Sequence, residues 1–114
     1  MKKLILLKAA LLSFAAHSAN YEGEGTINTL RVLSQSMYGT DYDWLSVNGF
    51  SSAGGCSTYN GLAIMLIPNE DERAFSIALA AQMAGKKVRV ATSDDPEYRG
   101  VGNRCKLRWI NIVD

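Results

Sequence analysis

The sequence predicts a mainly β fold with one helix, and two observations carry the prediction. Short runs of β-branched and bulky residues, each followed by turn residues, recur along the chain, while a single longer run has helix-forming composition with its own start and stop signals. That run, Arg73 to Ala84, sits between three predicted strands and two more. The elements follow in order.

The chain has 114 residues. Met1-Lys2-Lys3 is a basic start, Leu4 to Ala16 is apolar apart from Lys8, and Ala16-His17-Ser18 is a small-x-small triplet. This is the pattern of a secretory signal peptide, predicted over residues 1–19 with cleavage after Ser18 or Ala19. A membrane span needs about 20 apolar residues, more than this run supplies, so no membrane insertion is expected. Removal would leave one small domain, residues 20–114, in an exported protein, periplasmic or secreted. It would also take away Lys2, Lys3 and Lys8, turning a formal net charge of +1 into a mildly acidic balance. Generic nucleic-acid binding favours a basic stripe, so a nucleic-acid partner is not expected.

Asn20 to Glu24 reads as a frayed polar terminus. Gly25 to Leu33 alternates as the first strand, with Leu30 and Val32 on one face. Ser34 to Asp43 is turn-rich. Trp44 to Val47 is a second, short strand, followed by the Asn48-Gly49 turn and a Ser51-Ser52-Ala53-Gly54-Gly55 loop. Leu62 to Ile67 is a continuous apolar run stopped by Pro68, which fits a buried third strand.

Asn69 is the expected N-cap of the helix, with Glu72 at capping-box spacing, and Glu70, Asp71 and Glu72 complement the helix dipole. This acidic cluster lacks the alternating ligands and glycine of a calcium loop. Phe75, Ala78, Leu79 and Gln82 share one helix face; Ile77, Ala81 and Ala84 share another. There is no charge between Arg73 and Lys86, so the second face is expected either to be covered by another copy of the chain or to stand as exposed alanines of a small-residue helix. Gly85 ends the helix in the left-handed C′ position. Val88-Arg89-Val90 alternates as the fourth strand, and Arg104 to Val113 forms the fifth, with Cys105, Leu107 and Trp109 on one face. The order β-β-β-α-β-β is that of an OB-fold-like five-stranded barrel.

Cys56 and Cys105 are the two cysteines. In an exported chain an even pair reads as a disulfide. The one histidine, His17, lies in the predicted leader. Its loss removes Ser-His and Cys-His nucleophile pairs and histidine-based zinc ligation. Asp41 with Asp43 and Asp94 with Asp95 could be offered as paired carboxylates, but adjacent loop acids read as solvated turn formers. No enzyme, metal site or cofactor is expected. Tyr38, Tyr42, Trp44 and Tyr59, interleaved with Ser51 and Ser52, form the candidate ligand site. Aromatic rings favour the polarised C–H face of a sugar, and short polar side chains suit its hydroxyls.

Phe75 to Ala91, with its Gly85-Lys86-Lys87-Val88-Arg89-Val90 exit, resembles the helix and following strand of the subtilase cytotoxin and typhoid toxin B subunits. The Ser51-Ser52-Ala53-Gly54 loop before Cys56 and the late Cys105 are similar to theirs too. The resemblance spans about half of residues 20–114. It implies an OB-like, disulfide-stapled domain that assembles into a ring of five, binds sialylated cell-surface glycans and delivers a toxin A subunit. The nearest counterparts of that family's sugar-contacting residues are Gly25 and Thr26, which lack the expected serine. The other function class the sequence allows is a periplasmic or extracellular structural or protein-interaction domain with no small ligand.

Overall fold

The computed structural model describes residues 20–33 and 42–113. The predicted leader, Asp41 and the candidate Tyr38 lie outside the described residues. The elements are β1 (Asn20–Arg31), β2 (Tyr42–Val47), β3 (Thr58–Tyr59), β4 (Leu62–Ala63), β5 (Met65–Pro68), helix α1 (Glu72–Ala84), β6 (Lys87–Ser93) and β7 (Cys105–Val113). The fold is mainly β with one helix among the described residues. Five strands pair in the order β1-β2-β5-β7-β6, and β6 pairs again with β1, so the hydrogen-bonded cycle closes. All pairings are antiparallel except β5 with β7.

β1 makes the closure possible. Its first half, Asn20 to Thr26, pairs with β6, while Ile27 to Arg31 pairs with β2. The register slips at Asn28, between Ile27 and Thr29. A bulge of this kind bends and twists a strand, which lets one strand serve two neighbours. Asn20 to Glu24, expected to fray, is therefore laddered onto Ser93 to Arg89. Polar composition misled there, because an antiparallel ladder draws on backbone groups that composition does not report. The strand ends at Arg31, and Val32, expected on its apolar face, stands 64% exposed.

The interior is filled by Ile27, Leu45, Val47, Met65, Ile67, Val88 and Val90, with Phe50 at one side. α1 packs against β1, β6 and β7. Its inward residues are Ala78 and Ala81, both fully buried, with Ala74 and Phe75 partly buried beside them. Leu79 and Gln82, predicted to share that face, are exposed instead. The expected run Leu62–Ile67 is divided at Ile64. Leu62 and Ala63 pair back onto Tyr59 and Thr58, and only Met65 onward joins the main sheet. Two hydrogen bonds hold the break: the Ala63 N–H donates to Phe50 O and the Ile64 N–H to Ser57 O.

The helix begins two residues later than capping-box spacing implied. Asp71 is the N-cap, its carboxylate accepting from the Ala74 N–H at 3.2 Å. Pro68 O accepts from the Asp71 N–H, so Asn69 and Glu70 form a turn ahead of the helix. Gly85 adopts φ 66°, and the N–H groups at this end return to Ala81 O and Gln82 O, as its C′ role requires.

On β7 the register slips at Arg108: Leu107 faces Thr92, but Trp109 faces Ala91. Alternation is reset there. Leu107 and Ile110 pack on the core, and Trp109, expected on the Cys105 face, is 41% exposed. Cys56 and Cys105 form a disulfide with Cα atoms 5.4 Å apart. It ties the loop before β3 to the start of β7, and the Ser57 N–H donates to Asn103 O beside it.

Candidate functional site

The face opposite the core on β2, β5 and β7 carries the site. Register partners across antiparallel and parallel ladders lie on the same side of a sheet. Arg31 faces Trp44, Trp44 faces Leu66, and Leu66 faces Lys106, so one row crosses four strands. Leu66 points away from the core yet is only 3% exposed. Gly100 lies against it: a Cβ there would sit 2.6 Å from Leu66 Cδ1.

Trp44 and Tyr59 meet edge to face, with ring centroids 5.7 Å apart and planes at 63°. Such a contact contributes about 0.5–1.5 kcal/mol beyond area burial. Arg31 sits over both rings, its Cζ 5.2 Å from the Trp44 centroid and 5.5 Å from that of Tyr59. Arg104 approaches Trp44 to 4.6 Å, and the Lys106 ammonium lies 5.6 Å from the Tyr42 ring. A cation over a ring contributes about 0.5–1 kcal/mol at an exposed position.

Three of the predicted ligand residues, Tyr42, Trp44 and Tyr59, thus belong to one surface. Ser51 and Ser52 are exposed in a loop fastened elsewhere. There the Gly55 N–H and the Tyr21 hydroxyl both donate to the Asp94 carboxylate, each at 3.2 Å. A Cβ on Gly54, whose φ is 57°, would lie 2.1 Å from that carboxylate oxygen. The Tyr21 phenol is held above its ordinary range by partial burial and by the Asp94 charge. Gly25 and Thr26 are used in holding the Asn48 turn. Asn48 O lies 2.0 Å from where a Gly25 Cβ would sit, and the Thr26 hydroxyl accepts from Asn48 Nδ2.

No family model, curated protein or solved structure matches this chain.

Of the carboxylates offered as pairs, Asp43 departs from a solvated turn former and Asp95 acts as a turn former. Asp43 is on the core side of β2 and only 9% exposed. Burial pushes its carboxyl above the usual range, partly offset by a hydrogen bond from the Leu33 backbone. Asp95 caps the turn Pro96–Tyr98 by accepting from the Glu97 N–H. Among the described residues no group of three or more His, Cys, Asp or Glu side chains could hold a metal ion. No described helix is long and apolar enough to cross a membrane.

Of the predicted interface residues, Ile77 and Ala84 are exposed on α1, but Ala81 is not available. It is fully buried against this chain's own sheet, since it falls one turn from Ala78 on the inward side. Met83, 81% exposed, and Leu79, 40% exposed, extend the outer apolar surface. Sequence reasoning passed over Arg31, Arg104 and Lys106. The alternation Arg104-x-Lys106-x-Arg108 was the available signal, because strand periodicity places all three on the side away from Cys105 and Leu107.

Proposed function

We propose that the chain is an exported, non-catalytic domain of OB-fold type, similar to toxin B subunits, that binds cell-surface glycans. The observation that carries this reading is the Trp44–Tyr59 pair with Arg31 over both rings. An exposed aromatic ring beside a guanidinium supplies an apolar contact for a sugar ring and hydrogen-bond donors for its oxygens. Support for the fold comes from the closed strand cycle with a helix between β5 and β6. The Cys56–Cys105 disulfide suits an oxidising compartment, as does the leader pattern. The exposed Ile77, Leu79, Met83 and Ala84 suit a homo-oligomer, in the B-subunit case a pentamer that carries a toxin A subunit.

Glycan-array binding of refolded, oxidised protein tests the reading. Binding that Tyr59→Ala weakens by about tenfold or more supports it. Native circular dichroism with no signal on any array overturns it. The same outer surface of α1 favours a second reading, a protein-interaction domain with no small ligand. A monomer in light scattering that captures no glycan leaves that reading in place.

A further inference from the structure

Arg104, Lys106 and Arg108 stand at alternate positions, and each is seated over an aromatic ring. The partners come from different elements: Trp44 and Tyr42 from β2, and Tyr98 from the turn after β6, with Arg108 Cζ 5.3 Å from the Tyr98 centroid. Arg104 has extended backbone, φ −77° and ψ 127°, so the alternation begins one residue before β7. Cys105 is fully buried and Leu107 packs on the core, which puts the three cations on the outer side. At about 3.3 Å per residue Arg104 and Lys106 lie about 6.6 Å apart along the strand, and Arg108, at the register slip, ends a stretch of at most about 13 Å. Arg108 also donates to Asn20 Oδ1, which fixes it further. Side chains held in this way lose less rotamer freedom when a ligand arrives.

We propose that this side of β7 is a track for an extended acidic polysaccharide, whose anionic groups engage Arg104, Lys106 and Arg108 in succession. The proposal rests on the glycan-binding reading and adds the shape and charge of the ligand: a linear polyanion, not a single terminal sugar. A single-stranded nucleic acid fits less well. Such strands stack their bases on open ring faces, whereas Trp44 shares its half-buried ring with two guanidinium groups within 5.2 Å. The rings here support the cations, and the cations meet the ligand.

The test is calorimetric titration of the oxidised protein with a length series of oligogalacturonates, neutral dextrans of matching length, and an oligothymidylate, at about 50 and about 200 mM NaCl. Oligogalacturonate affinity is expected to rise with length until the oligomer spans about 13 Å. The salt slope is expected near −2, since each of three contacts on a flexible strand contributes about −0.7. Lys106→Gln with Arg108→Gln is expected to lower affinity about tenfold or more and reduce the slope to about −0.7, with unchanged circular dichroism. Lys106→Arg is expected to keep the slope. Binding independent of length overturns the track and leaves the glycan site standing. Equal binding of dextran, a slope unchanged in the double variant, or tighter binding of oligothymidylate also overturns it. No binding of any saccharide by native protein overturns both readings.

Discussion

Asp43 shows how a single residue departs from what its neighbours in sequence suggest. Flanked by aromatic residues and next to a turn-rich stretch, it reads as solvated, but strand alternation carries it to the core side with Leu45 and Val47. Its carboxyl is raised by burial. A raised carboxyl favours the folded state when protonated, so that contribution is present below the ordinary carboxylate range and is lost as pH rises through the folded value. Asp43→Asn keeps an acceptor for the Leu33 N–H and removes the charge. Urea midpoints measured from about pH 4 to pH 7 should show the variant gaining on the parent as pH rises; parallel profiles would contradict this. Trp44 and Tyr59 were legible as members of an aromatic cluster with Tyr38 and Tyr42, because aromatic residues near turns are conspicuous, but not as a contacting pair. The cations over them were not, because their partners are remote in sequence and only the closed strand pairing brings them together.

At the scale of elements, the helix was the most legible part of the chain. Its composition and Gly85 set its course, and the structure moves its start only to the Asp71 cap. Asp71→Ala should cost about 1 kcal/mol in chemical denaturation, whereas Asn69→Ala should change little. The reverse ranking would return the cap to Asn69. The five strands of the main sheet were legible in number, but the short β3–β4 pair and the irregularities were not. Two register slips, at Asn28 and Arg108, and the break at Ile64 have no local composition signal, since each is imposed by the geometry of the neighbouring strand. Those slips decide the faces: Trp109 is outside because of one of them.

At the scale of the molecule, the disulfide and the outer surface of α1 make separate predictions. The covalent link closes 49 residues of chain, for which loop entropy alone gives about 4 kcal/mol. Paired Cys56→Ala and Cys105→Ala substitution should lower stability by about that amount, measured by urea denaturation under oxidising conditions. If the exposed Ile77 and Met83 face another copy, Met83→Glu should shift the light-scattering mass toward the monomer, because a buried unpaired carboxylate costs several kcal/mol. An unchanged mass would leave that surface without a role in assembly.

The pairing of Asn20 with Ser93 and of Thr26 with Lys87 carries a kinetic consequence. The first strand cannot complete its ladder until nearly all of the chain is present, so the seam is a contact of long sequence separation. Chains dominated by such contacts fold in milliseconds to seconds, far more slowly than local helical bundles. Substitutions in the β1–β6 seam should therefore act mainly on the unfolding limb of the chevron, while those around Leu45 and Met65 act on the refolding limb. The first strand would be the last to settle into place.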